Sequence, residues 1–350
     1  MEKITAANVE SFQNELTSLI EKIHTESNPK QKMKYLKRID KIQRSISAYR
    51  SKSKLSRETK RDLIAYSFIA PNFIGFCVFT LIPIVFAFAL AFLSWDGSNP
   101  IEWAGLKNFK SLFKDKFFIA ALKNTIIYCV GTVPLTMIVS LGLAILLNHK
   151  VLGRGLFRTL AFFPYVASLV AITSVWKMLF HPSKGPINNL LFNVFNVQQE
   201  NLPQWFTGSL VLLSMIMFSV WKYMGYYMVI YLAGLQGVNG ELYEAAALDG
   251  AGTWAKFKYV TWPQLSSTTF FVIVMLTINC FKVYDIAIML AAGGNGELTL
   301  NSTVLVYYIY QKAFIEWKLG YSSAVAMVLF VLVLGVTLIQ FWGQKKYQEG

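Results

Sequence analysis

Cysteine, histidine and charge are all scarce in this chain. Its 350 residues include 3 Cys and 3 His, and only 15% are Asp, Glu, Lys or Arg. Cys77, Cys129 and Cys280 each stand alone inside an apolar stretch, so neither a disulfide framework nor a Cys-based zinc site is expected. His24, His149 and His181 are scattered, which leaves a His metal site without support. No cluster of His, Asp or Glu accompanies an apolar segment, so a polytopic membrane enzyme would have no catalytic group to use. The phosphate-cradling pattern Gly-x-x-x-x-Gly-Lys-Ser/Thr is absent, and Gly293-Gly294-Asn295-Gly296 lacks the Lys. The chain is therefore not expected to hydrolyse ATP or to hold a cofactor itself. No secretory signal opens it, and the first long apolar run starts only near Leu63.

What is abundant is apolar side chain. Hydrophobic residues make up 55% of the chain, aromatics 15%, and the mean hydropathy is +0.44. Ordinary soluble domains are ~45–50% apolar and ~25% charged. The balance predicts an all-α polytopic membrane protein. The formal net charge is +14, and its placement matters more than its size. Residues 1–62 carry fifteen of the 33 Lys and Arg against eight acids. A basic segment beside a membrane span suits anionic lipid head groups. No aromatic-basic pattern accompanies it, so nucleic acid is not an expected partner.

Three regions follow from the pattern. Residues 1–62 read as a cytoplasmic amphipathic helical hairpin and basic connector. Val9, Phe12, Leu16, Leu19, Ile20 and Ile23 recur at helical spacing, and Met33, Leu36, Ile39, Ile42 and Ile46 form a second stripe. Asn28-Pro29 marks the restart between them, and residues 52–61 form the connector. Such a hairpin is either a packing module or a partner-binding one, and packing on the rest of the assembly is favoured. Residues 63–345 read as six membrane helices near 63–93, 124–147, 157–180, 208–235, 265–292 and 321–343, each close to the ~20 residues a bilayer needs. Pro83 is expected to kink the first. Residues 346–350 are a short cytoplasmic tail. No repeat relates the two halves.

Flanking charge sets the expected orientation. With both termini inside, twenty-two Lys and Arg face the cytoplasm, among them Lys150, Arg154, Arg158, Lys256, Lys258, Lys345 and Lys346, against eight outside. This topology puts the polar stretch around Glu244 in the cytoplasm.

That stretch, residues 237–263, is the most informative in the chain. Ala and Leu favour helix, acids at Glu241, Glu244 and Asp249 exclude a membrane span, and Gly250 and Gly252 permit a turn. Taken alone it is either an ordinary solvated loop or a docking element. Its order decides: Glu244-Ala245-Ala246, three residues, Gly250, nine residues, Val260, one residue, Trp262-Pro263. This resembles the EAA coupling loop of ABC importer permeases, with Val260 where the family has Ile and Trp262 where it has Leu. The resemblance implies that Glu244, Ala245, Ala246, Asp249, Gly250 and Pro263 contact an ATPase.

The likeness continues along residues 63–345. It includes Trp221-Lys222-Tyr223-Met224-Gly225-Tyr226, Leu232 to Gln236, Phe281-Lys282-Val283-Tyr284-Asp285, Gly293-Gly294, Asn301-Ser302-Thr303, Tyr308 to Gln311, Leu319 to Ala324 and the outer run Gly185 to Leu191. These look most like the type I carbohydrate-importer permeases of the maltose and glycerol-phosphate kind. Residues 1–62 depart from that class, which has a shorter tail or an extra membrane helix there. The resemblance implies a permease subunit forming half of a pathway for a sugar or oligosaccharide in a bacterial cell membrane. It implies as partners a second homologous permease, two ATPase subunits that bind ATP and Mg, and an extracellular or periplasmic solute-binding protein. It also implies a pathway lined by Lys222, Tyr223, Tyr226, Asn279, Cys280, Lys282 and Val283.

Charges in apolar segments need a partner, a cavity or the interface. Lys177 lies near a helix end and is expected to snorkel. Lys222 and Lys282 either line a pathway or, for Lys282, pair with Asp285 one turn on. Tyr and Asn equally serve as packing between helices. An ion-coupled secondary transporter is the alternative function; it would need more intramembrane acid than Asp285 and often shows repeats.

Overall fold

The computed structural model describes residues 9–149, 152–291 and 298–349. Lys150, the Gly293 to Gly296 run and the last residue of the tail, Gly350, lie outside the described residues. The chain is mostly helical and divides into two compact units, residues 1–84 and 85–350.

In the first unit, α1 (Val9–Thr25) packs on the early turns of α2 (Pro29–Phe76). Asn28 caps α2 through its side-chain oxygen, which accepts from the N–H of Lys30, and Pro29 occupies the first turn. Leu19 and Ile42, one from each stripe, are buried, and Arg38 pairs with Glu15 at 2.6 Å. Residues 52–61, expected as a connector, are helical: α2 runs 48 residues without a break into the apolar stretch. Lys and Arg are good helix formers, and nothing in that segment stops a helix.

A π-helical turn, Cys77–Leu81, follows, and α3 (Ile82–Leu90) carries Pro83. Proline lacks the N–H and crowds the carbonyl four residues back. The wider turn just before Pro83 absorbs that clash, so the expected kink takes the form of a π-bulge. The short ladder β1 (Leu93–Ser94) and β2 (Glu102–Trp103) pairs Leu93 with Trp103. Then come α4 (Lys107–Leu112) and α5 (Lys116–Asn148). Asp115 caps α5 by accepting from the N–H of Phe117.

The span expected at 157–180 is two helices, α6 (Arg154–Val166) and α7 (Leu169–Leu179), bent by 99°. Ala167 and Ser168 between them are extended, with ψ of 150° and 125°. α8 (Pro186–Asn193) precedes α9 (Val211–Gln236). After α9 come α10 (Gly240–Leu248), α11 (Thr253–Lys256), a second π turn (Phe257–Thr261) and α12 (Trp262–Gln264). This π turn also stands just before a proline, Pro263, at the same offset as the turn before Pro83.

α13 (Ser266–Phe281) stops at Lys282, so the span expected at 265–292 is divided, and α14 (Asp285–Ala291) is separate. α15 (Leu305–Tyr310), a third π turn (Gln311–Ile315) and α16 (Leu319–Glu349) complete the described chain. Among the described residues, four helical segments are long and apolar enough to cross a membrane: 59–90, 116–148, 208–236 and 319–345. The count reaches six if the α6–α7 pair and the bent pair ending in α13 are one span each.

The second unit is built on α5 against α9, with α13 packed on both. Tyr128 of α5 and Ser219 of α9 share a hydroxyl hydrogen bond of 2.6 Å in the core. Asn124 of α5 donates to the carbonyls of Leu300 and Thr303, and Thr125 accepts from the N–H of Leu305, which fixes the start of α15. α6 crosses α9 at Gly225, where any Cβ would stand 1.8 Å from the Ala161 carbonyl oxygen. Only glycine permits that approach. Large apolar side chains remain exposed along the spans, Phe79 and Phe68 by more than 80%, as lipid or partner contact requires.

Candidate functional site

The polar stretch forms a helix, a turn and a second helix. Asn239 begins α10 by accepting from the N–H of Glu241 at 3.0 Å. Glu244, Ala245 and Ala246 lie in its middle, and Asp249 is its C-cap. The helix then ends in a Schellman motif. The N–H of Ala251 donates to the Ala246 carbonyl at 2.9 Å, and that of Gly250 to the Ala247 carbonyl at 3.1 Å. The motif requires a left-handed residue, and Gly250 supplies φ +78°. Gly252 is not left-handed; its φ is −72° and it caps α11. The two glycines expected to make the turn therefore do different jobs.

α10 is fixed to the next helix by one side-chain contact, the Tyr243 hydroxyl with the Thr261 hydroxyl at 2.9 Å. Thr261 closes the π turn that Pro263 follows. Pro263 thus acts through the backbone it shapes. α10 buries no residue on this chain. Leu248 is 91% exposed, Trp254 72% and Tyr259 71%. Glu244 is exposed and has no hydrogen-bond or ion-pair partner among the described residues. α10 thus presents small side chains, an acid without a partner among the described residues and uncovered apolar groups beside it.

The pathway candidates separate into three groups. Lys222, Tyr223 and Tyr226 are half-buried on α9 and face the end of α6. Tyr165, which sequence reasoning missed, stacks on Tyr226 with centroids 4.4 Å apart and lies 6.3 Å from Tyr223. The Lys222 ammonium reaches the carbonyls of Pro164 and Tyr165, each at 3.4 Å. Those carbonyls belong to the last turn of α6 and have no helical partner of their own. A cation there also suits the helix dipole. Lys222 therefore holds the α6–α7 bend, a structural reason for a lysine in an apolar helix. Lys177, in the last turn of α7, is exposed.

The second group is Asn279, whose amide donates to the Tyr227 hydroxyl at 3.2 Å. Tyr227 in turn packs edge-on to Tyr226, so Asn279 joins the tyrosine group through one residue. In the third group, Cys280 and Val283 are buried in the core, while Lys282 caps α13 and is exposed. No ion pair forms between Lys282 and Asp285. Nothing in the sequence links Tyr165 to Tyr226, since they lie on different helices brought together by tertiary packing.

Residues 133–348 match the family described as binding-protein-dependent transport system inner membrane component. The probable ABC transporter permease protein YesP of Bacillus subtilis (strain 168) is 37% identical to this chain, over 82% of the chain and 93% of YesP. The lactose transport system permease protein LacF of Rhizobium radiobacter is 32% identical, over 84% of this chain and 98% of LacF. The fold is similar to a chain in the crystal structure of a bacterial alginate ABC transporter in complex with alginate pentasaccharide-bound periplasmic protein. That match has a TM-score of 0.70 and 23% identity, over 82% of this chain and 96% of the other. An ion-coupled secondary transporter falls outside this family. The chain belongs to the binding-protein-dependent transport system inner membrane components, and is a permease subunit of an ABC importer.

Proposed function

We propose that this permease forms half of a translocation pathway for a sugar or oligosaccharide. The single observation that carries the coupling part of the reading is the free Glu244 on the uncovered, rigidly capped α10. An acid with no partner on its own chain, on a helix with a uniquely defined end, suits a basic cleft on an ATPase subunit. Alanines 245–247 let that cleft come close. The lactose permease name among the relatives supports a carbohydrate as cargo. So does the tyrosine group around Tyr226, because aromatic faces with nearby amide and ammonium donors suit polyhydroxyl ligands.

In this reading six spans cross a bacterial cell membrane with both termini in the cytoplasm, each bent pair counting as one. Helices α1 and the basic part of α2 lie on the cytoplasmic side as a packing element of the assembly. A second homologous permease completes the pathway. Two ATPase subunits bind ATP and Mg, and a solute-binding protein delivers the sugar outside. Closure of the ATPase pair moves α10, α11 and the π turn as one body, and the spans rock between inward-open and outward-open states. Lys222, Tyr223, Tyr226 and Asn279 line the route, with Tyr165 added to them.

The test is affinity isolation of the tagged chain from its native membrane together with uptake of labelled sugars by the cells. The reading expects a second permease and an ATPase in the isolate, and uptake of at least one carbohydrate that deletion of this chain abolishes. An isolate without an ATPase, or a deletion that leaves all carbohydrate uptake intact, would refute it.

A further inference from the structure

A cavity of about 530 Å³ shares no lining residue with the tyrosine group. One wall is the β1–β2 segment, with Trp95, Asp96, Asn99 and Glu102, extended by Asn108 of α4; the other is the start of α16 and the turn before it, with Trp317, Lys318 and Tyr321. Its size falls within the ~300–1,000 Å³ of small-molecule sites. The walls are joined: the N–H of Gly320 donates to the Trp95 carbonyl at 3.3 Å.

The cavity offers hydrogen-bond acceptors that are already set in place. The Asp96 carboxylate is oriented by the N–H groups of Ser98 and Asn99 and the Asn99 amide. Asn108 spends both amide protons on the carbonyls of Ala91 and Leu93, which leaves its oxygen as an acceptor. Glu102 is exposed and has no ion-pair partner among the described residues. The single cation of the walls, Lys318, is held by Glu316 at 2.8 Å. Two indoles, Trp95 and Trp317, complete the lining, and Trp317 is held at φ +54°, a backbone region that bulky side chains avoid. The cavity is rich in acceptors and aromatic faces and, among the described residues, holds no free cation. It suits a ligand that donates many hydrogen bonds, carries apolar C–H faces and has no negative charge.

We propose that this cavity is a binding site for a neutral sugar residue, on the outer face of the permease and separate from the pathway tyrosines. The site rests on the carbohydrate and topology readings above. Hydroxyls of the sugar donate to Asp96 and Glu102, and a ring face lies on an indole. A uronate is repelled by the two carboxylates.

The test is saturation-transfer NMR on the intact complex in lipid nanodiscs without the solute-binding protein. The probes are lactose, arabinotriose and a mannuronate trimer. At least one neutral probe should bind, and the mannuronate trimer should not. Glu102→Gln, a same-shape change at an exposed position, and Trp317→Gly, which relieves the left-handed backbone, should each weaken binding by about tenfold or more. In a Tyr226→Ala background, which removes any contribution of the pathway tyrosines, the remaining binding should keep its dependence on Glu102 and Trp317. Absence of binding by both neutral probes overturns the site. So does binding that is indifferent to Glu102→Gln and Trp317→Gly, or that only Tyr226→Ala removes. The importer reading fails separately, on a complex that contains no ATPase subunit, and the binding result then judges the cavity alone.

Discussion

The Tyr243 hydroxyl and the Thr261 hydroxyl stand 2.9 Å apart and join α10 to the π turn that leads into the following span. Among the described residues it is the one side-chain hydrogen bond that joins α10 to the π turn. Movement imposed on α10 reaches the membrane through it and through the backbone. Tyr243→Phe should remove about 1 kcal/mol of that link and leave the helix dipole and surface intact. The expected outcome is normal recovery of the ATPase with less sugar moved per ATP hydrolysed. Unchanged stoichiometry would show that the backbone alone transmits the movement.

Gly225 sets the crossing of α6 and α9. A Cβ there would meet backbone, the Ala161 carbonyl at 1.8 Å, which no rotamer change can relieve. Gly225→Ala should cost stability at the upper end of the ~1–3 kcal/mol typical of overpacking. It should also displace Tyr165 from Tyr226. Thermal unfolding of the detergent-solubilised complex measures the first effect, and a melting temperature equal to wild type would refute the close crossing.

Asp115 predicts a pH dependence. Burial pushes its carboxyl up, but hydrogen bonds from the Tyr308 and Tyr321 hydroxyls and the N–H groups of Phe117 and Phe118 outweigh that and hold it below the ordinary carboxylate range. The fold therefore prefers the ionised form. Its contribution is complete above the ordinary value of ~3.9 and is lost as pH falls through the lower folded value. Asp115→Asn should be less stable than wild type at neutral pH, and the gap should narrow below about pH 4. A gap that stays constant with pH would contradict the assignment.

Topology has its own test. The proposed topology, with twenty-two basic residues inside against eight outside, has the α9–α10 junction in the cytoplasm. A cysteine at Gly240, an exposed position with open space around it, should react with an impermeant thiol reagent in inside-out vesicles but not in whole cells. Labelling of whole cells would reverse the orientation.

The sequence makes some of this legible and hides the rest for definite reasons. α9 and α16 match the expected spans because a long apolar run with no internal break has one solution in a bilayer. The bend after Val166 is hidden, since the apolar run resumes at once after Ser168 and the α9 contacts at Gly225 and Lys222 that accompany the bend are tertiary. Residues 52–61 look like a linker by charge, yet basic residues favour helix and the helix runs through. In the polar loop, composition gives both Gly250 and Gly252 to one turn, and only the backbone shows that of the two Gly250 alone is left-handed. Among the pathway candidates, Cys280 and Val283 fall into the core because spacing along a chain does not reveal which helix faces close on each other.

The central claim is that α10 is the element an ATPase grips. Glu244→Lys reverses the free charge on that helix, and like charges facing each other in a desolvated interface cost several kcal/mol. Gly250→Asp puts a side chain on the left-handed turn at a cost of about 1–3 kcal/mol, and so misaims the helix. The decisive measurement is ATPase co-purification and sugar uptake for both variants, normalised to the amount of permease in the membrane. The account predicts normal insertion, with the ATPase lost or its hydrolysis uncoupled from uptake. Wild-type ATPase recovery together with wild-type uptake in both variants would contradict it.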